Sequence, residues 1–404
     1  MRIFISVILA LMMPISSVPV GNTQTNDNLD SPFFENPADH DFSKNSELLE
    51  RIVGSSHGYF RFINIPFSNY MCHYYADILI GQPSLNLHGD AHIEQYAVTD
   101  LGRGLTDFDD SSTGPALLDW MRFGVSVHLA CEELGWTSAA DSMVGRFFRA
   151  YRATLENPEM VANEPNIVTK MKAKFTTNRL KYFEWVASIM EPMPDSERDS
   201  VLTAMKSYIA TQFAEDASLP KNYFQVQEMG YLRMGIGSAL DLKYIVRLHG
   251  LTDDPMDDVV LEVKQVRDLS GISCVQTSQK TDPFRILLGQ ARIAYHPFHH
   301  LGYFQFRGMN FWVHSWVDNY KELKISSSFT EPHDMAEVVY DVGVQLGRGH
   351  IKHIATPLDL QVRRSQLQLL NEQEMRLRTD CGRFAQQVDD AWKQFCDELK
   401  HADQ

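Results

Sequence analysis

Cysteine is scarce in this chain of 404 residues: there are five, at positions 72, 131, 274, 381 and 396. So few, at such wide spacings, exclude a disulfide scaffold, and no two stand at metal-ligand spacing. Buried free thiols are the expectation, with at most one bridge in an oxidising compartment. Positive charge is also in deficit. Lysine and arginine total 37 against 52 aspartates and glutamates, a formal net charge of −15. An acidic surface repels phosphate backbones, which argues against a nucleic-acid partner. Beyond the first residues no apolar run approaches a membrane span, and no fixed-period repeat is present. What the chain does have is apolar residues, 44% of the total, enough to bury a sizeable core.

The opening residues, MRIFISVILALMMPISSVPVG, join a positive Arg2 to an apolar run from Ile3 to Met13, then Pro14 and two serines. This is the pattern of an export signal, expected over 1–21. An uncleaved anchor is the alternative, but Pro14 and the short run weigh against a spanning helix. Residues 22–45 read as a polar tail. A mature chain of this kind is expected to be periplasmic or secreted and to carry no membrane span.

Residues 46–80 read as mostly helical, and 84–110 as strand, loop, strand, with LNL and LTDF as the apolar pieces. LLDWMRFGVSVHLACEELGW (117–136) has helical spacing with a stop near Gly135. AADSMVGRFFRAYRATLE and DSERDSVLTAMKSYIATQFAED repeat that spacing behind acidic starts. The pattern then changes: MGIGSALDLKYIVRLHG and DDVVLEVKQVRD alternate like strands across a DDPMDD turn, and FQFRGMNFWVHSWV is a further strand-like run. Helix returns to the end. The expectation is an α+β protein with a helical lobe over 46–225, a β-rich segment over 226–325 and C-terminal helices over 326–404.

The densest chemistry lies in HGDAHIEQYAVTDLGRGLTDFDD, residues 88–110. Phosphoryl transfer needs one carboxylate to orient or deprotonate the attacking hydroxyl. A second carboxylate and a side-chain amide hold magnesium against the phosphates. Asp90, Gln95 and Asp107 are residues of those types at a compatible spacing. The competing reading of each is an ordinary turn or cap residue.

HGDAHIEQ resembles the HGDLHxxN loop of the aminoglycoside phosphotransferase and homoserine kinase group, and DFDDSSTGPALLDW resembles its DFDxxxxGPxxxD stretch. The closer likeness is to the bacterial DUF2252 family, whose hallmark is GDAHLxNFG, NDFDE and GPWxWDLKRLAAS; here stand GDAHIEQYA, TDFDD and GPALLDWMRFGVS. MGIGSALDLKYIVRL, LEVKQV, RILLGQARI and YDVGVQLGRGHI resemble later stretches of the same family, so the likeness covers residues 50–355.

That resemblance implies a two-lobed protein-kinase-like fold in which glycine turn and lysine follow the catalytic loop, a circular permutation. It implies ATP and Mg2+ as cofactors and an unknown small-molecule or protein acceptor. Asp90 would be the base; Gln95, Asp107 and Asp109 the metal ligands; Gly235, Gly237, Ser238 and Lys264 the nucleotide contacts. His88, His92, Asp119 and Arg122 would be supports. The chain departs from the family at Gln95 (Asn), Leu240 (Gly), Leu288 (Glu) and Gln265 (Glu), and no helix glutamate for Lys264 can be named. Those departures open a second reading, an exported non-catalytic binding module. A third is a metal hydrolase using His88, Asp90, His92 and Asp107 with the histidines of HPFHH (296–300).

Overall fold

The computed structural model describes residues 31–42, 46–232 and 241–402. The expected signal segment and the glycine turn with Gly235, Gly237 and Ser238 lie outside them. Helix and strand are both abundant, and the chain is α+β. Eleven strands occur among the described residues: β1 (Leu85–Leu87), β2 (Tyr96–Thr99), β3 (Arg103–Leu105), β4 (Ser112–Gly114), β5 (Met190–Glu191), β6 (Val226–Leu232), β7 (Lys243–Leu248), β8 (Val259–Gln265), β9 (Gly302–Phe306), β10 (Met309–Ser315) and β11 (Tyr320–Glu322).

The helical body is built around the helix Leu117–Glu133. Apart from the face that carries Asp119, Arg122 and Ser126 its sequence is mainly apolar, which suits a helix enclosed by others; Trp120, Met121, Phe123, Val125, Val127 and Leu129 are fully buried. The helices Ala140–Glu156 and the 45-residue Leu358–Ala402 pack against it, and Pro332–Ile351 packs against Ala140–Glu156. The helix Leu117–Glu133 ends where expected, at Gly135, whose φ of 72° is the left-handed conformation that stops helices.

The largest sheet runs in the order β5-β6-β7-β8-β10-β9, all antiparallel. Alternation assigns its two faces. On one, Tyr244, Val246, Leu248, Leu261, Val263, Phe304, Phe311 and Val313 bury against Val201, Met205 and Tyr208 of the helix Asp195–Glu215. Each such side chain stabilises the fold by roughly 1.5–3 kcal/mol. The opposite face is divided. Ile245 and Val260 bury against Tyr182, Phe183 and Val186 of the helix Arg179–Ile189. Lys243, Glu262, Lys264, Trp312 and His314 line a cleft.

Three local features differ from the sequence reading. FQFRGMNFWVHSWV is a hairpin: Arg307 and Gly308 have φ of 51° and 76° and turn β9 into β10, the geometry that a two-residue loop requires. LTDF is strand only to Leu105, because Asp107 has φ 56° and cannot continue a ladder. Cys72 is bonded to Cys274, joining the helix Asn64–Tyr74 to the connection after β8. Cys131 and Cys381 are buried free thiols, as expected, and Cys396 is free and half-buried.

Candidate active site

The loop after β1 is pinned from one face of the buried helix. Asp119, Arg122 and Ser126 stand at helical spacing and so point the same way. Asp119 accepts from the backbone N–H of His88 (2.7 Å) and of Gly89 (2.9 Å). Arg122 donates to Asp90, and Ser126 Oγ accepts from Ile93 N at 3.2 Å. His350 approaches Asp119 from behind, Nε2 to Oδ2 at 3.0 Å. Burial alone would raise the Asp119 carboxyl, but His350, His88 and the amide of Gly89 outweigh it and hold it below the usual range. Gly89 has φ 84°, and a Cβ there would sit 1.9 Å from the carbonyl oxygen of Asp110. Only glycine lets these two loops approach.

His88 is buried and structural. Asp90 N–H donates to Nδ1 at 3.3 Å, so the ring proton is on Nε2, which donates to Thr106 O at 3.0 Å. Its ring packs on Phe108 at 4.9 Å, coupling the 88–95 loop to the 106–111 loop. His92 is buried beside His57, with Nε2 3.7 Å from Asp90 Oδ2.

Asp90 has two distinct oxygens. Oδ1 is held by Arg122, Nε at 2.9 Å and Nη2 at 2.8 Å. Oδ2 is approached by the Gln95 amide at 3.4 Å. The Arg122 guanidinium lies 3.8 Å from the Phe60 ring centroid, a second favourable contact for a buried cation. Burial raises the Asp90 carboxyl; Arg122 pulls it back without cancelling the rise. A buried, raised carboxylate at a cleft surface has the character of a general base.

Across the cleft, Lys264 Nζ lies 2.8 Å from Asp107 and 2.5 Å from Asp109, residues 157 positions or nearly so away in the chain. Trp312 Nε1 donates to the second oxygen system of this pair, reaching Asp109 Oδ1 at 2.8 Å. Two carboxylates sharing one ammonium cannot ionise equally. Burial would raise both. Lys264 and Lys243 hold Asp107 well below the usual range, whereas burial and the charge of Asp107 push Asp109 up to about 6. Asp107 is also the more exposed, at 40% against 7%, and its left-handed φ is backbone strain of the kind that collects at functional sites.

Supports sit behind this pair. The helix Pro283–Ile293 starts at Asp282, which caps Phe284 N at 2.9 Å. It sends Arg285 to the carbonyls of Asp109 and Ser111. Gly289 lets that helix close on the loop: a Cβ there would meet Ser111 Oγ at 2.3 Å. Asp110 faces Arg267 and the Asn64 amide, which makes it a structural acid. Glu262, on the same sheet face as Lys264, pairs with His314 at 3.0 Å and is held at about 2: burial opposes this, but Lys264 and His314 prevail.

Asp90, Gln95, Asp107, Asp109 and Lys264 all line one cleft of about 800 Å³, within the size of small-molecule sites. The histidines of 296–300 do not join them in one group: His296 packs on Gly102 and His300 meets the Tyr223 hydroxyl at 3.1 Å. Among the described residues no three His, Cys, Asp or Glu side chains gather as a metal-holding group. Sequence reasoning missed Lys243, Ser126, Arg285, Trp312, His314 and His350. Alternation along β7 and β10 carried a signal for Lys243, Trp312 and His314; nothing local marks His350 as the partner of Asp119.

Residues 49–182 and 160–398 match the family described as uncharacterized protein conserved in bacteria (DUF2252), and the chain belongs to it. No curated protein and no solved structure matches the chain.

Proposed function

We propose that the cleft binds a magnesium nucleotide, ATP in the first instance, and passes a phosphoryl group to a hydroxyl acceptor. The fold would be a protein-kinase-like one whose nucleotide lobe follows the catalytic loop in the chain. The observation that carries this reading is the meeting of Lys264 with Asp107 and Asp109 in the cleft that also holds Asp90. The order of elements supports it. The sequence between β6 and β7 holds Gly235 and Gly237, β8, the second strand after it, holds Lys264, and a helix follows, the order of a kinase nucleotide lobe.

In this reading Asp90 takes the acceptor proton. Arg122 holds one oxygen and fixes the carboxylate, while the other stays beside Gln95. Lys264 would meet the phosphates. Asp107, Asp109 and the Gln95 amide offer the hard oxygens that magnesium prefers, and that ion needs only one or two protein carboxylates beside phosphate and water. The donor set therefore fits it; when bound, the ion would neutralise charge on the phosphate oxygens. Export is proposed as well, from the signal-like start and from the Cys72–Cys274 bridge, a bond of oxidising compartments.

One observation favours a binding module over an enzyme. The helix after β8 presents Arg285 to the 109–111 backbone and has the half-exposed Leu288 where the family's glutamate is expected. Lys264 then lacks the helix carboxylate that orients it in active kinases. Thermal unfolding with ATP and Mg2+ tests the common part: ligand at a hundred times its Kd stabilises by about 2.7 kcal/mol. No shift with ATP or ADP refutes nucleotide binding. A shift with ATP consumption supports transfer, and a shift without turnover over a panel of hydroxyl acceptors supports the binding module.

A further inference from the structure

The cleft has an aromatic end. Alternation along β10 and just past it puts Trp312, His314 and Trp316 on the cleft face of the sheet. Trp312 stands directly opposite Lys264 in the antiparallel register, so it marks the row of the lysine and its two aspartates. Trp316 lies four residues further on, about 13 Å along the strand. There its indole meets that of Trp185, from the helix Arg179–Ile189, edge to face with ring centroids 5.3 Å apart. Both indoles line the cleft, and Trp185 is 39% exposed, a flat apolar surface that a stacked ring would take out of water. Trp316 is fixed from behind: its N–H donates to Val260 O at 2.7 Å, and its carbonyl accepts from the Tyr182 hydroxyl at 2.9 Å. The polar side chains that follow are also engaged, Asp318 by Arg179 and Asn319 by Asp100. This end of the cleft thus offers ring faces beside a segment whose hydrogen bonds are already spent. Such a platform holds a planar ring by its face and reads nothing of its edge.

We propose that Trp185 and Trp316 hold the base of a nucleotide whose phosphates lie at Lys264. The inference rests on the nucleotide reading above and narrows it: the base is held by stacking alone, so adenine and guanine nucleotides are accepted alike. The occupant is a nucleobase because the same cleft carries, two rows along the sheet, the cation and carboxylates that suit phosphate and magnesium. In a nucleotide the ribose and phosphate chain separate a planar ring from a polyanion, the same order of chemistry that the cleft presents along β10.

The test is titration of ATP, GTP and inorganic tripolyphosphate, each with Mg2+, into the wild type, W185A and W185F, with thermal unfolding of each free protein as the check of folding. ATP and GTP are expected to bind the wild type within about fivefold of each other. W185A is expected to weaken both by about fivefold or more, the lower end of what removing an aromatic platform costs a stacked base, and tripolyphosphate by less than about twofold. W185F should recover most of the loss. W185L repeats the comparison if W185A does not fold. ATP affinity in W185A within about threefold of wild type, an equal loss for tripolyphosphate, or a wild-type preference for one purine beyond about fivefold would overturn the inference while leaving nucleotide binding intact. Tripolyphosphate binding the wild type as tightly as ATP would do the same, since the base would then contribute nothing. A wild-type protein that binds none of the three removes the nucleotide reading and the inference with it.

Discussion

Replacing Asp119 by alanine would test whether the loop that carries Asp90 is held from the helix beneath it. The Asp119 carboxylate is fully buried and accepts from two backbone amides and from His350. Each amide–carboxylate bond contributes about 1.5 kcal/mol net, and truncation leaves the donors buried without a partner. Breaking such a buried charged arrangement costs about 3–5 kcal/mol. Unfolding entropy is about 2.1 cal/mol/K per residue, so a loss of about 4 kcal/mol in a chain of this length lowers Tm by roughly 5 °C. Urea unfolding followed by tryptophan fluorescence gives the free energy directly. Asp119 also sets a pH dependence. Its folded carboxyl lies below the usual range, so its contribution is complete above the ordinary carboxylate value and is lost only as pH falls through the depressed one. The alanine variant should lose that acid-side dependence. A variant within about 1 kcal/mol of wild type across this range would refute the reasoning.

Three further outcomes are expected. If the protein turns over, Asp90→Asn should abolish turnover and leave nucleotide affinity nearly unchanged, while Asp107→Ala should weaken magnesium-dependent nucleotide binding; equal loss of binding in both, by calorimetry, would make Asp90 structural. Asp109 has a folded carboxyl raised to about 6, so its contribution is present below the ordinary carboxylate value and is lost as pH rises through about 6. Asp109→Asn should flatten stability over that window, and an unchanged profile counts against the shared-lysine account. Cys72→Ser should destabilise by about 2–5 kcal/mol, and a reductant should lower the Tm of the wild type but not of the variant; insensitivity of the wild type to reductant argues against the bridge.

Legibility followed locality. Asp90, Asp107 and Lys264 sit in short motifs whose chemistry is set by their immediate neighbours, and Asp119 and Arg122 share a face through helix periodicity alone. Ser126 shares that face too, but serine in an apolar helix gives no comparable signal. The strand Tyr96–Thr99 is buried at every position, so the alternation that betrays strands is absent. The kinase pattern places the partner of Lys264 on a helix, whereas Lys264 meets the two aspartates expected as metal ligands. The Cys72–Cys274 pairing depends on chain ends brought together over 202 positions, which no spacing rule encodes.

That bridge closes the chain between Cys72 and Cys274 into a covalent ring, and the ring contains Asp90, Gln95, Asp107, Asp109, Asp119, Arg122, Lys243 and Lys264. Inside a ring, a single cut releases nothing. A protease that opened the exposed connection at 157–164 would leave the loop-bearing part and the lysine-bearing part tethered at the cysteines. The two pieces would separate on a gel only after reduction.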